Sequence, residues 1–278
     1  MPSSERRPRH ELLQQALEVV AREGITPRLG FWSIAAATRF MLDHLMGGLP
    51  QRASAAAQSF HALYDRTLAH NPPPQPLACR QGCSYCCHSF VAASAPELFV
   101  LAEEISCQPQ DRVDEALARI EAAHAATAGL DKASRSRLRP CALLVENLCS
   151  VYVARPISCR AFASFSVEKC EQAFRTGSDD IPVPVANFQL RGACNQALWS
   201  ALARVGLPFQ SYELTHGLLR VLQTPDAERR WLAGEDVLAG VQVDDVSLIA
   251  AEDPKVRLYY ETLGCAALDQ EPPQNPWL

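Results

Sequence analysis

The sequence predicts a mainly α-helical protein, with a helical scaffold around a small cysteine-rich metal-binding knuckle and little β structure. Apolar residues recur at helical spacing over much of the chain. Runs of β-branched and aromatic residues, which are typical of strands, are scarce. Four cysteines fall within nine residues, which is rare for thiols that only pack in a core, in the run Cys79-Arg80-Gln81-Gly82-Cys83-Ser84-Tyr85-Cys86-Cys87.

Amphipathic patterns predict helices on both sides of this run. Before it, the predicted helices cover residues 11–23, 31–46 and 52–70, and they end at Gly24, at Gly47-Gly48 and at a proline-rich stretch. After it, the predicted helices cover residues 96–105, 111–127, 197–205, 209–222 and 225–232. Thr224 is the predicted N-cap of the last of these helices.

A chain of 278 residues has room for one large domain or two small ones. The clearest linker is the proline-rich stretch at residues 71–76, directly before the cysteine run. We therefore expect an N-terminal helical region at residues 1–70, a cysteine-cluster metal-binding domain at 77–195, and a C-terminal helical region at 196–278 with an acidic, proline-rich tail.

The charge pattern argues against nucleic-acid binding, because the net charge is −5 and no third of the chain is strongly basic. The best membrane candidate, Leu29–Leu49, contains Arg39, Asp43 and His44, so we expect no membrane contact. The N-terminus lacks the continuous apolar region of a signal peptide. We therefore expect a cytoplasmic protein with reduced cysteines, in which clustered thiols favour metal over disulfides.

The first cysteine group consists of Cys79, Cys83, Cys86 and Cys87. If the run were helical, all four sulfurs would lie within an arc of about 100° on one face. Gly82 disfavours a regular helix, so we expect a glycine-containing turn that opens into a helix near Ser84. In either conformation the thiolates can converge on one metal ion or iron–sulfur cluster.

A second group, Cys141, Cys149 and Cys159, follows within nineteen residues. Pro140 and Pro156 keep the chain out of helix near these cysteines. The run Val151-Tyr152-Val153 predicts a short strand. Together these features predict a compact, hairpin-like knuckle that presents thiols from loops.

Other polar and thiol residues leave alternatives open. Arg155 and Arg160 flank the cluster, where they would bind the cofactor by offsetting thiolate charge, or else form surface ion pairs. His88 and Cys194 are additional candidate ligands, whereas Cys107, Cys170 and Cys265 are isolated and are expected to be structural. A basic run is expected to be a solvated face or to meet an anionic partner, and it contains Lys132, Arg135, Arg137 and Arg139.

The spacing leaves two kinds of cofactor open: an iron–sulfur cluster, [4Fe–4S] in form, or a zinc or iron ion. Zinc sites usually come as two separated Cys-x-x-Cys pairs, and the neighbouring sulfurs of Cys86-Cys87 strain to meet one tetrahedral ion. An iron–sulfur cluster is larger and tolerates more varied spacing. The spacing therefore favours iron–sulfur over zinc.

The pattern C-x3-C-x2-C-C, followed by Cys141, by Cys149-Ser150-Val151-Tyr152 and by Arg155-Pro156-Ile157-Ser158-Cys159-Arg160, resembles the YkgJ-type cysteine-cluster family. The resemblance covers residues 77–165 and implies zinc or iron chelation. A similar cluster occurs in flagellin lysine N-methylases, where it is linked to an iron–sulfur centre and methyl transfer. The resemblance implies that the metal ligands are Cys79, Cys83, Cys86, Cys87, Cys141, Cys149 and Cys159.

Three functions remain open at this stage. The first is a metal-binding protein that coordinates an iron–sulfur cluster, zinc or iron through its thiolates. The second is an iron–sulfur-dependent enzyme such as a protein methyltransferase. The third is a zinc-stapled domain whose helices bind a protein partner. No catalytic residue or substrate can be named from the sequence.

Overall fold

The computed structural model describes residues 8–135 and 138–273, and it confirms the mainly α-helical fold. The predictions for Arg137 and for the end of the tail, residues 274–278, lie outside the described residues. The helices, in chain order, are α1 (Arg9–Glu23), α2 (Phe31–Leu45), α3 (Arg52–His70), α4 (Ala95–Ser106), α5 (Gln110–Thr127), α6 (Lys132–Arg135), α7 (Ile157–Ala161), α8 (Val167–Thr176), α9 (Val185–Arg204), α10 (Leu214–Gln223), α11 (Ala227–Leu232), α12 (Asp245–Glu252) and α13 (Pro254–Ala267).

The short strands form two antiparallel pairs. Strand β1 (Ala92–Ser94) pairs with β4 (Ser211–Glu213), with Ala93 opposite Tyr212. Strand β2 (Leu144–Val145) pairs with β3 (Leu148–Cys149) in a hairpin. Both β1 and β4 lead directly into a helix, α4 and α10 respectively, so this pair holds the starts of two core helices together.

The predicted helices at 11–23, 31–46, 52–70, 96–105 and 111–127 are confirmed within two residues at each end. The predicted helix at 209–222 was wrong at its start, because Ser211–Glu213 pair with β1 and the helix begins only at Leu214. The predicted helix at 197–205 begins earlier than expected, at Val185.

Two local predictions were wrong. Thr224 is not the N-cap of α11; its hydroxyl donates to the carbonyl of Arg220 at the end of α10, and Asp226 occupies the N-cap. The run Val151-Tyr152-Val153 is not a strand, because the chain turns into a 3₁₀ helix at Tyr152–Ala154. The side chain of Val151 is buried but those of Tyr152 and Val153 are exposed, so the run lacks a sheet partner and a face to bury.

The described residues pack into two compact units. The first unit comprises residues 8–72, 192–209 and 249–273, and its core includes Leu13, Met41, Phe60 and Leu263. The second unit comprises residues 73–135, 138–191 and 210–248, and contains both strand pairs. In its core α4 packs on α5 and α10, and the rings of Phe99 and Trp231 meet edge to face at 5.5 Å.

Membrane-spanning helices are missing from the part of the chain that the structure describes. Within residues 8–135 and 138–273, every helix is too short or too polar to cross a bilayer.

Candidate metal centre

The first cysteine run folds as a turn followed by a short helix. Gly82 has a φ of +84° in the turn that the Cys83 N–H closes onto the carbonyl of Arg80, and only glycine adopts this φ without strain. A 3₁₀ helix, Tyr85–His88, then carries Cys86 and Cys87. The expected glycine-containing turn before a helix near Ser84 is therefore confirmed.

The β2–β3 hairpin brings the second cysteine group against the first. Its two-residue turn, Glu146-Asn147, has positive φ at both positions, which matches the twist of a tight hairpin. The Cys141 N–H donates to the carbonyl of Cys87 at 2.7 Å, and the Ser84 hydroxyl donates to Oδ1 of Asn147 at 3.1 Å. These bonds tie the hairpin to the cysteine run directly.

Helix α7 positions Cys159, and the buried carboxylate of Glu97 holds the start of that helix. One Glu97 oxygen accepts from the Ile157 N–H at 2.7 Å, while the other accepts from the Ser94 N–H and hydroxyl at 2.9 and 2.8 Å. Glu97 therefore caps α4 and α7 at once. This role of Glu97 was not predicted, although Ser94-Ala95-Pro96-Glu97 before an apolar run has the form of a capping box.

We expect Glu97→Gln to lower the free energy of unfolding by about 2 kcal/mol, because a charged acceptor of buried hydrogen bonds is lost. The amide also turns a donor toward N–H and O–H groups that need an acceptor. Chemical denaturation followed by circular dichroism measures the effect. The matched control is Glu104→Gln on the exposed side of the same helix, which should change the stability by less than about 0.5 kcal/mol. Equal effects of the two substitutions would contradict the capping role.

The seven predicted ligands lie close enough to interact electrostatically. The hydrogen bond that the Cys86 thiol donates to Cys87, together with burial, raises the pKa of Cys86. Burial raises the pKa of Cys141 to about 11, and Cys149 and Cys86 add to the effect. Burial also raises the pKa of Cys159, with further contributions from Cys141, Cys86 and Cys149. Cys86 thus has neighbours in both cysteine groups.

Cys79 is held at the edge of the same group. The Ala78 N–H donates to the carbonyl of Ser164 at 2.9 Å, and the Ser164 N–H donates to Sγ of Cys79 at 3.4 Å. Burial raises the pKa of Cys79, and Cys86 and Cys83 raise it further.

An eighth thiol, that of Cys170, joins these seven. Burial raises the pKa of Cys170, the side chain of Ser164 opposes this rise through a hydrogen bond, and Cys79, Cys83 and Cys86 add to it. Helix α8, which carries Cys170, packs on the 3₁₀ helix of the cysteine run, where the Phe174 ring lies 4.7 Å from that of His88. The prediction that Cys170 is isolated was wrong. Cys170 is distant from the cysteine run along the sequence, but α8 brings it close to that run in space.

The thiols are neighbours but are not arranged as a finished coordination sphere. Within residues 8–135 and 138–273, no three His, Cys, Asp or Glu side chains stand in a group that could hold an ion as it is. A change between staggered rotamers moves a thiol sulfur by about 3 Å, which is the scale of adjustment that a metal would demand. The donor chemistry, eight sulfurs that interact with one another among the nine cysteines of the second unit, fits a thiophilic metal.

The two flanking arginines occupy different environments. The guanidinium of Arg155 stacks on the Tyr152 ring at 3.7 Å, and its charge opposes the burial that raises the pKa of Cys149. The Arg160 guanidinium donates hydrogen bonds to the carbonyls of Arg155 and Val153 and thereby stabilises the loop between the hairpin and α7. His88 directs Nδ1 to the carbonyl of Ser84 at 3.2 Å, where the ring nitrogen is the donor.

The remaining three cysteines belong to the first unit or lie on the surface of the second. Cys194 belongs to the first unit, in α9, where burial and the carboxylate of Asp65 raise its pKa. Cys265 also belongs to the first unit, and Cys107 is exposed at the end of α4. All eleven cysteines of the chain are free thiols.

Of the three residues of the basic run that the structure describes, Lys132 and Arg139 are exposed, as in the predicted solvated face, whereas Arg135 is largely buried. Arg135 forms a nearly buried ion pair with Glu213 at 3.0 Å, and Lys132 pairs with Asp244 at 3.4 Å. Arg139 donates to the carbonyl of Ala122 at 3.1 Å. A cleft of about 50 Å³ lies here, lined among others by Arg135, Arg139, Glu213, Cys87 and Cys141.

Comparison with known proteins identifies one domain in the chain. Residues 78–177 match the family model CxxCxxCC, described as "Putative zinc- or iron-chelating domain". No curated protein and no solved structure matches the chain. The match supports metal binding by this segment and includes Cys170, whereas a relation to flagellin lysine N-methylases is not shown.

Proposed function

We propose, from the premise that residues 78–177 form a domain of the CxxCxxCC family, that this domain chelates zinc or iron through clustered thiolates. The observation that carries the proposal is the gathering of eight thiols from five separate chain segments into one unit. The proposed ligands are the seven predicted cysteines together with Cys170.

The surroundings of the thiols support this function. Backbone hydrogen bonds join the cysteine run to the hairpin and to the segment before α8, so the donors are positioned by the fold. Arg155 lies beside Cys86 and Cys149 and would offset part of the charge of several thiolates. When bound, the metal would supply folding free energy to segments that have little core of their own.

The form of the metal is the finer part of the proposal. An iron–sulfur cluster, [4Fe–4S] in form, is one candidate, supported by the neighbouring thiols of Cys86 and Cys87; zinc or iron ions are the other. The test is the metal and acid-labile sulfide content, with a visible spectrum, of untagged protein purified without oxygen. Iron and sulfide in equal amounts indicate a cluster. Zinc or iron without sulfide indicates bound metal ions, and the absence of both metals contradicts chelation.

We expect metal binding to release about one proton for each thiolate ligand. The pKa values of Cys79, Cys86, Cys141, Cys149, Cys159 and Cys170 are raised, so these thiols keep their protons at neutral pH and a metal must displace them. The apparent affinity for zinc should therefore rise with pH. Titration calorimetry in buffers of different ionisation enthalpy counts the protons, and a count of zero would contradict thiolate ligation.

The cleft beside the thiols favours a second candidate, an iron–sulfur-dependent enzyme such as a protein methyltransferase. The cleft reaches Cys87 and Cys141. At about 50 Å³ it is too small for a whole substrate, so a protein substrate would dock outside it, near the exposed Arg139. The test is transfer of a labelled methyl group from S-adenosylmethionine to protein by the iron-loaded chain. Transfer that is lost in Arg139→Gln at full iron content supports this candidate, and no transfer argues against it.

The compartment follows from the same chemistry. Eleven free thiols, eight of them clustered, would persist in a reducing environment, so we propose a cytoplasmic location. Detection of the native protein with reduced thiols in a cytosolic fraction is the corresponding test.

A further inference from the structure

We propose that the eight thiols form two adjoining four-thiolate metal sites, which meet at the neighbouring pair Cys86-Cys87. This inference rests on the metal binding proposed above and specifies how many ions are bound. Each site takes three thiols of its own and one thiol of the pair. The first site contains Cys79, Cys83 and Cys170, and the second contains Cys141, Cys149 and Cys159.

The first set of three is assembled by Ser164 and α8. Ser164 is almost fully buried, donates its N–H to Sγ of Cys79, and places its side chain within hydrogen-bond reach of Cys170. On α8, Phe174 follows Cys170 by one turn and packs on His88 and Tyr85, so this face of the helix points at the cysteine run. The thiols of Cys79, Cys83 and Cys86 each interact electrostatically with Cys170.

The second set of three is assembled by the hairpin and α7. Cys149 lies opposite Leu144 in the β2–β3 pair, and the Leu144 N–H donates to the carbonyl of Cys141 at 3.0 Å. The carboxylate of Glu97 fixes the start of α7 and thereby Cys159. Cys159 interacts with Cys141, Cys149 and Cys86, and Cys149 also interacts with Cys86.

The pair Cys86-Cys87 joins the two sets. The Cys86 thiol interacts with Cys141 of the second set and with Cys170 of the first. The Cys87 carbonyl accepts the Cys141 N–H, and Cys87 lines the same cleft as Cys141. The Cys86 thiol donates to the Cys87 sulfur, so two sites that each take one of these thiols must adjoin. Two sites also remove the strain of directing neighbouring sulfurs at one tetrahedral ion, and they use all eight thiols.

The test is the metal stoichiometry of the full chain loaded with zinc, and separately with cobalt(II) as a spectroscopic probe. We expect about two ions per wild-type chain, about one in Cys170→Ser and in Cys149→Ser, and none in the double variant. The control is Cys107→Ser, an exposed cysteine of the same unit, which should keep both ions. One zinc per wild-type chain, or two ions retained in Cys170→Ser, would overturn the two-site assignment.

A measurement on the wild-type chain covers the case in which a variant does not fold. With cadmium-113 bound, nuclear magnetic resonance should show two metal signals, one coupled to the Cβ protons of Cys170 and the other to those of Cys149. A single signal, or one signal coupled to both residues, contradicts two separate sites. Failure of the proposed function looks different, since the wild-type chain would then bind no metal at all.

Discussion

Replacing Cys86 with serine is expected to lower the bound metal to about half of the wild-type content. Its sulfur neighbours that of Cys87, and Cys86 interacts electrostatically with both Cys149 and Cys170. A serine hydroxyl is a poor ligand for thiophilic metals, so the site that takes the Cys86 thiol loses one of its four donors. Elemental analysis of protein purified without oxygen measures the effect.

The matched control for this substitution is Cys265→Ser. Cys265 is also a partly exposed free thiol, but it belongs to the other unit, in α13, and should keep the full metal content. Circular dichroism of both variants separates loss of a ligand from loss of the fold. Full metal in Cys86→Ser would remove Cys86 from the ligand set.

Removing the metal with a chelator is expected to unfold the cysteine-bearing segments while most of the helical scaffold remains. Residues 78–91 and 139–166 contain a four-residue 3₁₀ helix, a minimal hairpin and the five-residue α7, so few backbone hydrogen bonds hold them. Structural zinc sites contribute roughly 10 kcal/mol or more of binding free energy, and in such segments this is folding free energy. Helices α4 and α5 should persist, because their apolar side chains, including those of Leu98, Leu101 and Ile120, are fully buried in a core that does not depend on metal ligands.

Hydrogen exchange followed by mass spectrometry distinguishes these outcomes segment by segment. Peptides from residues 78–91 and 139–166 should lose protection when the metal is removed, whereas α4, α5 and, as an internal control, α2 of the first unit should keep it. Unchanged protection in the cysteine segments would show that packing alone maintains them. Loss of protection throughout α4 and α5 would show that the metal supports the whole unit.

Much of this structure could be predicted because it depends on short-range patterns. The helices at 11–23, 52–70 and 111–127 follow the spacing of apolar side chains, which reflects helix geometry within a few turns. The turn at Gly82 follows from the conformational freedom of glycine. The matched domain at residues 78–177 supports the metal chemistry that clustered thiols predict.

Two of the failures, at residues 211–213 and 151–153, depend on pairing between residues that are distant along the chain. Residues 211–213 have a pattern compatible with helix, but they pair with β1 more than a hundred residues earlier. Val151-Tyr152-Val153 has strand-forming residues but no partner strand, so it turns instead. Propensity is a weak preference, and tertiary contacts override it when they bury more surface or satisfy more hydrogen bonds.

The amino-acid order alone specified the helical class, the cysteine run and the thiophilic chemistry, because each depends on residues within a few positions of one another. The fold was needed to recruit Cys170 through α8, to place Cys194 in the other unit, and to show that Glu97 caps α7. Each of these joins groups more than ten residues apart. Such contacts depend on how the helices pack, and the spacing of residues within a short stretch of sequence does not determine that packing.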